Sequence, residues 1–135
     1  MKREIKFRGK DIETGEWVYG SLVQPIGQNP SVYVQDVKTE GVASFFVYDV
    51  EESTVGQFTG LLDKNGNEIY EGDIIVKHFT DGDVTYVCTY IEEYACFAFD
   101  RDIKFGEYYY FQKIDSPKLQ IIGNIHDNPE ILKNK

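Results

Sequence analysis

The sequence predicts a mainly β fold with one short helical turn near its C-terminal end. Aromatic residues make up 15% of the 135 residues, as ten Tyr, nine Phe and one Trp. Tyr, Phe and Val favour strands because their side chains suit a pleated, half-buried surface. The apolar runs are short, and Gly, Pro, Asn and Asp separate them at close intervals. Hydrophobic residues at 41% and charged residues at 27% are typical of a globular chain that can bury a core.

Four strands are predicted in the first part of the chain. Ile5 and Phe7 alternate with polar residues in the first of them, and a turn through Thr14-Gly15 leads to the second. The segment Pro25–Pro30 holds two prolines and a glycine and is predicted as a loop. The predicted strands are Glu4–Arg8, Glu16–Val23, Ser31–Val37 and Val42–Val50. We place a boundary in Glu51–Thr54, which divides the chain into an N-terminal β region, 1–54, and a barrel region, 55–135.

A second series of short strands follows this boundary. Asn65-Gly66 predicts a type I′ hairpin turn, since both residues accept the positive φ that this turn requires. Glu71-Gly72-Asp73 and Asp81-Gly82 mark two further turns. The predicted strands are Val55–Leu62, Glu68–Tyr70, Ile74–Phe79, Val84–Ile91, Tyr94–Phe99, Tyr108–Ile114 and Leu119–Ile125. Short, tightly turned strands of this kind suit a small barrel, which hides the edges of its sheet.

The one predicted helix begins at Asn128-Pro129-Glu130. Asn128 suits the N-cap, Pro129 the first helical position, and Glu130 the positive end of the helix. The polar residues that follow limit this helix to one or two turns.

The charge of the chain is strongly negative. It has 14 Lys and Arg against 23 Asp and Glu, for a formal net charge of −9. Phosphate backbones and anionic membrane surfaces repel such a protein, so we expect no membrane partner and disfavour nucleic acid. The basic N-terminal residues precede no apolar segment, so no signal peptide is predicted. With only two cysteines, Cys88 and Cys96, the chain is expected to be cytoplasmic.

No metal site is predicted in the polar segment Asp63–Asp73. Its oxygen-bearing side chains at Asp63, Asn65 and Asn67 resemble the start of an EF-hand loop. That loop requires Gly at its sixth position and Glu at its twelfth, where this chain has Glu68 and Ile74. A hairpin turn accounts for the same residues without a cation.

The spacing of the acidic, histidine and cysteine residues predicts neither a catalytic site nor a metal site. Acidic pairs occur at turns, where solvent prevents the divergent pKa values that acid–base catalysis needs. His78 and His126 are 48 positions apart, and neither they nor Cys88 and Cys96 have the spacing of a zinc site. We therefore predict no enzyme activity, no cofactor and no small-molecule substrate. The acidic pairs are Glu51-Glu52, Glu71 with Asp73, Asp81 with Asp83, Glu92-Glu93, and Asp100 with Asp102.

A run of four aromatic residues, Tyr108, Tyr109, Tyr110 and Phe111, is the candidate partner interface. A strand with aromatic residues at successive positions presents them on both faces, so one face lines the core and the other forms an exposed apolar stripe. Such a stripe predicts a protein partner or self-association into a homo-oligomer.

Two longer stretches resemble a known family. Val55–Val76, VGQFTGLLDKNGNEIYEGDIIV, and Ile122–Leu132, IGNIHDNPEIL, are similar to the YopX family of phage and prophage proteins. The opening IKFRGKDIETGEWVYGSLV is similar as well, so the resemblance covers essentially the whole chain. It implies an SH3-like β-barrel in the later part of the chain, a phage or prophage origin and a bacterial cytoplasm. It implies no activity and assigns no catalytic residue.

Two functions follow from these observations. The first is a non-catalytic β-sheet protein that acts through protein–protein contacts. The alternative is a nucleic-acid-associated SH3-like barrel protein, which requires a local basic patch. The candidate residues for that patch are Lys2, Arg3, Lys6, Arg8 and Lys10.

Overall fold

The computed structural model describes residues 3–36, 44–102, 107–110 and 118–133. They form two antiparallel sheets and one short helix, so the mainly β prediction is confirmed. Contacts within the chain divide it into two compact units, Met1–Phe58 and Thr59–Lys135. That residues 1–54 and 55–135 are separate domains stays a prediction.

The first unit is built around four strands. They are β1 (Phe7–Lys10), β2 (Trp17–Val23), β3 (Ser31–Gln35) and β4 (Phe45–Asp49). Neighbours in the sequence pair as antiparallel hairpins, so the strand order is β4-β3-β2-β1. A 3₁₀ turn at Glu52–Thr54 leads into β5 (Gly56–Leu62), and the start of β5 pairs with the free edge of β1.

The residues after β4 return to the residues after β1. The Ile12 amide donates to the Asp49 carbonyl at 3.0 Å, and the Glu51 amide donates to the Lys10 carbonyl at 3.0 Å. These two bonds enclose an isolated antiparallel bridge between Asp11 and Val50. The backbone groups of Asp49 and Glu51 that face away from β3 are therefore hydrogen-bonded to the segment after β1, and that edge is not open there.

The interior of the first unit packs closely around two glycines. Val32 and Val50 are fully buried there. A Cβ at Gly9 would lie 2.8 Å from Val50 Cγ2, and a Cβ at Gly20 would overlap the Tyr33 carbonyl oxygen. Neither position has room for a side chain, so these glycines let the strands approach each other.

The second unit contains the rest of the strands. They are the end of β5, β6 (Glu68–Tyr70), β7 (Asp73–Phe79), β8 (Gly82–Ile91), β9 (Cys96–Asp102), β10 (Glu107–Tyr110) and β11 (Leu119–Asn124). Five of them form an antiparallel sheet in the order β10-β9-β8-β7-β11, and β6 lies beside β5 in the other sheet.

The core of the second unit lies on one face of the five-stranded sheet. Cross-strand pairing of Ile75 with Tyr86 and of Cys88 with Phe99 sets these side chains on a common face. Together with Ile69 and Leu119 they form a fully buried hydrophobic cluster. Ile74 and Ala98, on the opposite face, are also fully buried. Burial on both faces explains why β7 has a continuous apolar run rather than an alternating one.

The hairpin turn between β5 and β6 is not the predicted type I′ turn. A type I′ turn needs positive φ at both central residues, but among the described non-glycine residues only Ala95 has positive φ. Gly66 has φ 81°, its amide donates to the Asp63 carbonyl at 3.1 Å, and the Asp63 amide donates to the Asn67 carbonyl at 2.8 Å. This is a three-residue loop that ends in a left-handed glycine.

The short helix, α1, spans Glu130–Lys133. Asn128 does not cap it with its side chain as predicted, because the Asn128 Oδ1 accepts from the Asn124 amide at 3.3 Å. The Asn128 carbonyl instead accepts from the Ile131 amide. In the segments that the structure describes, no helix has the length and hydrophobicity required to cross a membrane.

Candidate interaction surface

Five apolar and aromatic side chains lie on one face of the first unit's sheet, and we call them the outer apolar face. Ser21 pairs with Tyr33, Tyr33 with Val47, and Gln35 with Phe45. Residues that pair, and residues two positions apart on a strand, share a face. The outer apolar face therefore consists of Tyr19, Val23, Tyr33, Phe45 and Val47.

Most of the outer apolar face is exposed to solvent. Tyr19 is 46% exposed, Phe45 49% and Val47 51%. Tyr33 is half-buried, and its ring lies 6.2 Å from that of Phe45 at an angle of 56°. Two contacting aromatic rings beside an exposed valine form a contiguous apolar surface rather than scattered single residues.

The sequence of β4 explains this exposure. Phe45 and Phe46 are adjacent on a strand, so their side chains point to opposite faces, and Phe46 is itself 52% exposed. β4 is the last strand in its sheet, so it has a strand neighbour on one side only along Phe45–Tyr48. The sequence analysis missed these residues. The signal was the adjacent Phe45-Phe46 pair, which breaks the alternation of a half-buried strand.

One carboxylate shares the face with these apolar side chains. Among the described residues of β2, β3 and β4 that point to this side, Asp49 is the only acidic one. The Ser31 hydroxyl donates to Asp49 Oδ1 at 2.8 Å. β2, β3 and β4 thus bring one carboxylate to this face, while the pairing of Arg8 with Tyr19 and of Lys10 with Trp17 puts two cations on the same side.

The candidate basic patch is largely engaged with aromatic rings. The Arg8 guanidinium carbon lies 4.5 Å from the Trp17 ring centroid, and Arg8 is only 5% exposed. Lys10 Nζ lies 5.5 Å from the same ring, and Lys6 Nζ lies 5.4 Å from the Phe58 ring. Arg3 is exposed, and Lys2 lies outside the described residues. These contacts hold cations against rings, so the strand presents fewer basic groups to solvent than its sequence predicts.

The aromatic run singled out from the sequence lies at the other sheet's edge. Tyr108, Tyr109 and Tyr110 belong to β10, where their backbones pair with Asp100, Phe99 and Ala98 of β9. β10 is the last strand of the five-stranded sheet. Phe111 lies outside the described residues. Their role as a partner interface stays a prediction.

His78 and the two cysteines lie in different surroundings. His78 Nδ1 lies 2.5 Å from Asp83 Oδ1 at the exposed end of the β7–β8 hairpin. Both cysteines are free thiols: Cys88 is buried in the core, and Cys96 is half-buried. Across the described ranges, no three His, Cys, Asp or Glu side chains converge as metal ligands would.

The Asp63 carboxylate is held by several hydrogen bonds, and Asp63 is only 4% exposed. Its Oδ1 accepts from the amides of Asn65 and Asn67, each at 2.9 Å, and its Oδ2 accepts from the Ile121 amide at 3.1 Å. Burial of Asp63 by itself raises its pKa, but these amide donors outweigh burial and hold the pKa below its usual value of 3.8. Asp63 thus joins the β5–β6 turn to β11.

The turn between β6 and β7 is organised in the same way. The Tyr70 amide donates to the buried Asp73 Oδ2 at 2.7 Å. Gly72, at φ 90°, donates its amide to the Cys88 carbonyl at 2.8 Å and accepts from the Ile125 amide at 2.9 Å. The polar residues of this segment therefore hold turns to neighbouring strands, which gives them a structural role.

Comparisons with known proteins give a family and a structural neighbour. A family model described as YopX protein matches residues 6–133. The crystal structure of protein EF1440 from Enterococcus faecalis is similar in fold, with a TM-score of 0.61 and 25% sequence identity. That match covers 97% of this chain and 99% of EF1440. No curated protein matches the chain.

Proposed function

The chain belongs to the YopX family, and on that premise we propose that it is a non-catalytic protein that acts through protein–protein contacts at the outer apolar face. The observation that carries this proposal is the exposure of Phe45 and Val47, at 49% and 51%, beside Tyr33 and Tyr19. Aromatic residues that are grouped and half-exposed are typical of interface centres, because burying them against a partner removes much apolar area from water.

An SH3-like barrel is the finer architecture that we propose with this function. The resemblance to the YopX family led us to expect the barrel in residues 55–135. What supports a barrel there is the run of short antiparallel strands joined by tight turns, with β7, β8 and β9 among them. Phage or prophage origin and a bacterial cytoplasm are proposed on the family resemblance alone.

Two further points support an interaction role over the alternatives. The polar groups of Asp63 and Asp73 accept hydrogen bonds from turn amides, which favours a structural role for them over a catalytic one. A nucleic-acid role is disfavoured by the net charge of −9 and by the ring contacts of Arg8 and Lys10. We therefore propose no enzyme activity, no cofactor and no membrane partner.

The proposal is tested by capture from a bacterial host lysate and by self-association of the purified chain. We expect the wild type to bind a protein, either a second copy or a host component identified by mass spectrometry. Phe45→Ser and Val47→Lys should abolish that binding, because they remove or charge the centre of the apolar surface. Ile26→Ser is the matched control: Ile26 is a fully exposed apolar residue of the same unit in the β2–β3 loop.

The aromatic run on β10 provides a second arm of the same test. Tyr108→Ser, at the position paired with Asp100, should reduce binding if the run contributes to the interface, while an unchanged affinity would restrict the interface to the first unit. Binding of neither a second copy nor a host protein, or binding that Phe45→Ser and Val47→Lys leave intact, would rule out the outer apolar face as the functional site. Fluorescence anisotropy with labelled single-stranded DNA at low salt tests the nucleic-acid alternative in parallel.

A further inference from the structure

We propose that Asn65 is a site of spontaneous deamidation, and that the hydrogen bonds of Asp63 set the rate of this reaction in the folded protein. In deamidation, the backbone nitrogen of the next residue loses its proton and attacks the side-chain carbonyl carbon of Asn. The new C–N bond closes a succinimide ring, and the C–Nδ2 bond breaks as the –NH₂ group takes up a proton and leaves as ammonia. Water then opens the ring to give Asp or isoaspartate. This chemistry is separate from the contacts proposed for the outer apolar face.

The residue that follows Asn65 favours the reaction. The chain has six Asn residues, and Asn65 alone is followed by Gly. Glycine has no Cβ, so its nitrogen approaches the neighbouring side chain with little hindrance. Proline has no amide proton to lose, and the larger side chains hinder the approach. The residues that follow the other five Asn are Pro30, Glu68, Ile125, Pro129 and Lys135.

The surroundings of Asn65 leave the reacting groups accessible to water. Lys64, Asn65, Gly66 and Asn67 are all exposed. A Cβ added at Gly66 would meet no other atom within 4 Å. Water can therefore accept the amide proton of Gly66 and later hydrolyse the ring.

The closed turn opposes the same reaction. The Gly66 amide, which supplies the attacking nitrogen, donates to the Asp63 carbonyl at 3.1 Å. The amides on either side of it, those of Asn65 and Asn67, both donate to Asp63 Oδ1 at 2.9 Å. These bonds fix the backbone around the reacting pair, whereas ring closure requires the Gly66 nitrogen to turn toward the side chain of Asn65. The reaction therefore proceeds from molecules in which the turn has opened locally.

Isoaspartate at position 65 would release the turn from Asp63. Its backbone runs through Cβ, which adds one carbon between the Cα of residue 65 and the Gly66 nitrogen. Two bonds span this position and depend on the normal chain length: the Asp63 amide donates to the Asn67 carbonyl at 2.8 Å, and the Asn67 amide donates to Asp63 Oδ1. The longer backbone breaks their register, so the isoaspartate form is expected to be less stable than the original chain.

Peptide mass spectrometry of the full-length protein, held for increasing times at mildly alkaline pH, measures the rate. Trypsin cleaves after Lys64, so the peptide 65–77 reports Asn65 without including position 63, and fragment ions separate Asn65 from Asn67. Asp63→Asn should raise the rate at Asn65 about tenfold or more, because the loss of bonds to a charged acceptor increases the population of open turns. Glu93→Gln, which removes the same charge from an exposed residue of the same unit, should deamidate like the wild type. Circular dichroism confirms that each variant is folded.

The wild type unfolded in urea provides a comparison that needs no variant. It should deamidate at Asn65 faster than the folded protein, because the turn is absent. No deamidation at Asn65 in the unfolded chain would overturn the assignment of the site. Equal rates in the folded wild type, the unfolded wild type and Asp63→Asn would overturn the control by the turn.

The structural consequence is tested on the isoaspartate form, separated from aged protein by ion exchange. Its matched control is Asn65→Asp, which has the same added charge on a normal backbone. We expect the isoaspartate form to unfold at a lower urea concentration than Asn65→Asp, and Asn65→Asp to unfold close to the wild type. Equal midpoints for the two forms would show that the longer backbone does not release the turn.

Discussion

The Asp63 carboxylate accepts a hydrogen bond, 3.1 Å long, from the backbone amide of Ile121, a residue 58 positions further along the chain. Asp63 belongs to the first of the two sequence stretches that resemble the YopX family, and Ile121 immediately precedes the second. Lys64 strengthens the connection, because its amide donates to the Leu119 carbonyl at 2.8 Å. The two stretches meet in the second unit, where the Ile125 amide of the second stretch donates to the Gly72 carbonyl of the first at 2.9 Å.

Replacing Asp63 with Asn should destabilise the protein. An amide side chain keeps one acceptor oxygen but turns an NH₂ donor toward either the Ile121 amide or the two turn amides, which are donors themselves. Hydrogen bonds to a charged group contribute about 1.5–3 kcal/mol, so we expect the free energy of unfolding to fall by about 2 kcal/mol. Urea denaturation followed by circular dichroism measures it.

The matched control for this change is Asp81→Asn. Asp81 is an exposed turn aspartate in the same unit, and the substitution removes the same charge. We expect its free energy of unfolding to stay within about 0.5 kcal/mol of the wild type. Equal losses for the two variants would mean that net charge, rather than the bond to Ile121, determines the effect.

The stability conferred by Asp63 should depend on pH. Its pKa in the folded protein lies below the usual 3.8 because amide donors outweigh the effect of burial. The ionised carboxylate therefore favours the folded state, and its contribution is complete above the unfolded pKa and lost as pH falls through the folded pKa. Between about pH 5 and about pH 2, the difference between wild type and Asp63→Asn should narrow. Denaturation series at several pH values test this, and a difference that stays constant would contradict it.

Much of the fold could be predicted because local patterns determine it. β6 has the predicted bounds Glu68–Tyr70, and Ile69 within it is fully buried. β2 starts at Trp17, one residue after its predicted start, and β11 ends at Asn124, one residue before its predicted end. Their other limits are as predicted. In each of these, turn residues with strong backbone preferences flank an apolar segment, so propensity and tertiary packing favour the same structure.

Other features could not be predicted because they depend on distant residues. β1 spans Phe7–Lys10 rather than the predicted Glu4–Arg8, since its limits follow from pairing with Trp17–Gly20 across a hairpin. Tyr94 ends a 3₁₀ turn instead of starting a strand, and Ala95 follows at φ 51°. A left-handed alanine is uncommon, so no sequence rule places it there.

The candidate site, like the fold, could be predicted only in part. Composition predicts an exposed aromatic strand, and the sequence places it at Tyr108–Phe111. The outer apolar face could not be found in this way, because it joins Tyr19, Tyr33 and Phe45 from three strands. Only the register of those strands shows that the three side chains share one face.

Gly123→Ala tests the closing segment of the second unit. A Cβ at Gly123 would lie 2.7 Å from Asn128 Oδ1 and 2.9 Å from Asn128 Cγ. Asn128 is held there by the Asn124 amide, so it cannot move without losing that bond. Overpacking of this kind costs about 1–3 kcal/mol. We expect the midpoint of thermal unfolding to fall accordingly.

A double-mutant cycle separates this clash from other effects of alanine. Asn128→Ala removes the two closest atoms, so Gly123→Ala should cost less in the Asn128→Ala background than in the wild type. The coupling between the two positions should reach about 1 kcal/mol. If the two single losses simply add, the side chain of Asn128 does not restrict Gly123.

The two interior glycines of the first unit should differ in their tolerance of alanine. At Gly9 the added Cβ meets the side chain of Val50, with the closest approach 2.8 Å to Cγ2, whereas at Gly20 it overlaps the backbone carbonyl oxygen of Tyr33. A side chain can be shortened but a backbone carbonyl cannot, so Val50→Ala should recover part of the about 1–3 kcal/mol lost in Gly9→Ala. No single side-chain substitution should rescue Gly20→Ala, because relief requires β2 and β3 to separate. Urea denaturation of Gly9→Ala, Val50→Ala, the double variant of these two, and Gly20→Ala measures these differences in the free energy of unfolding. A Gly20→Ala protein as stable as the wild type would show that β2 and β3 do not approach each other this closely.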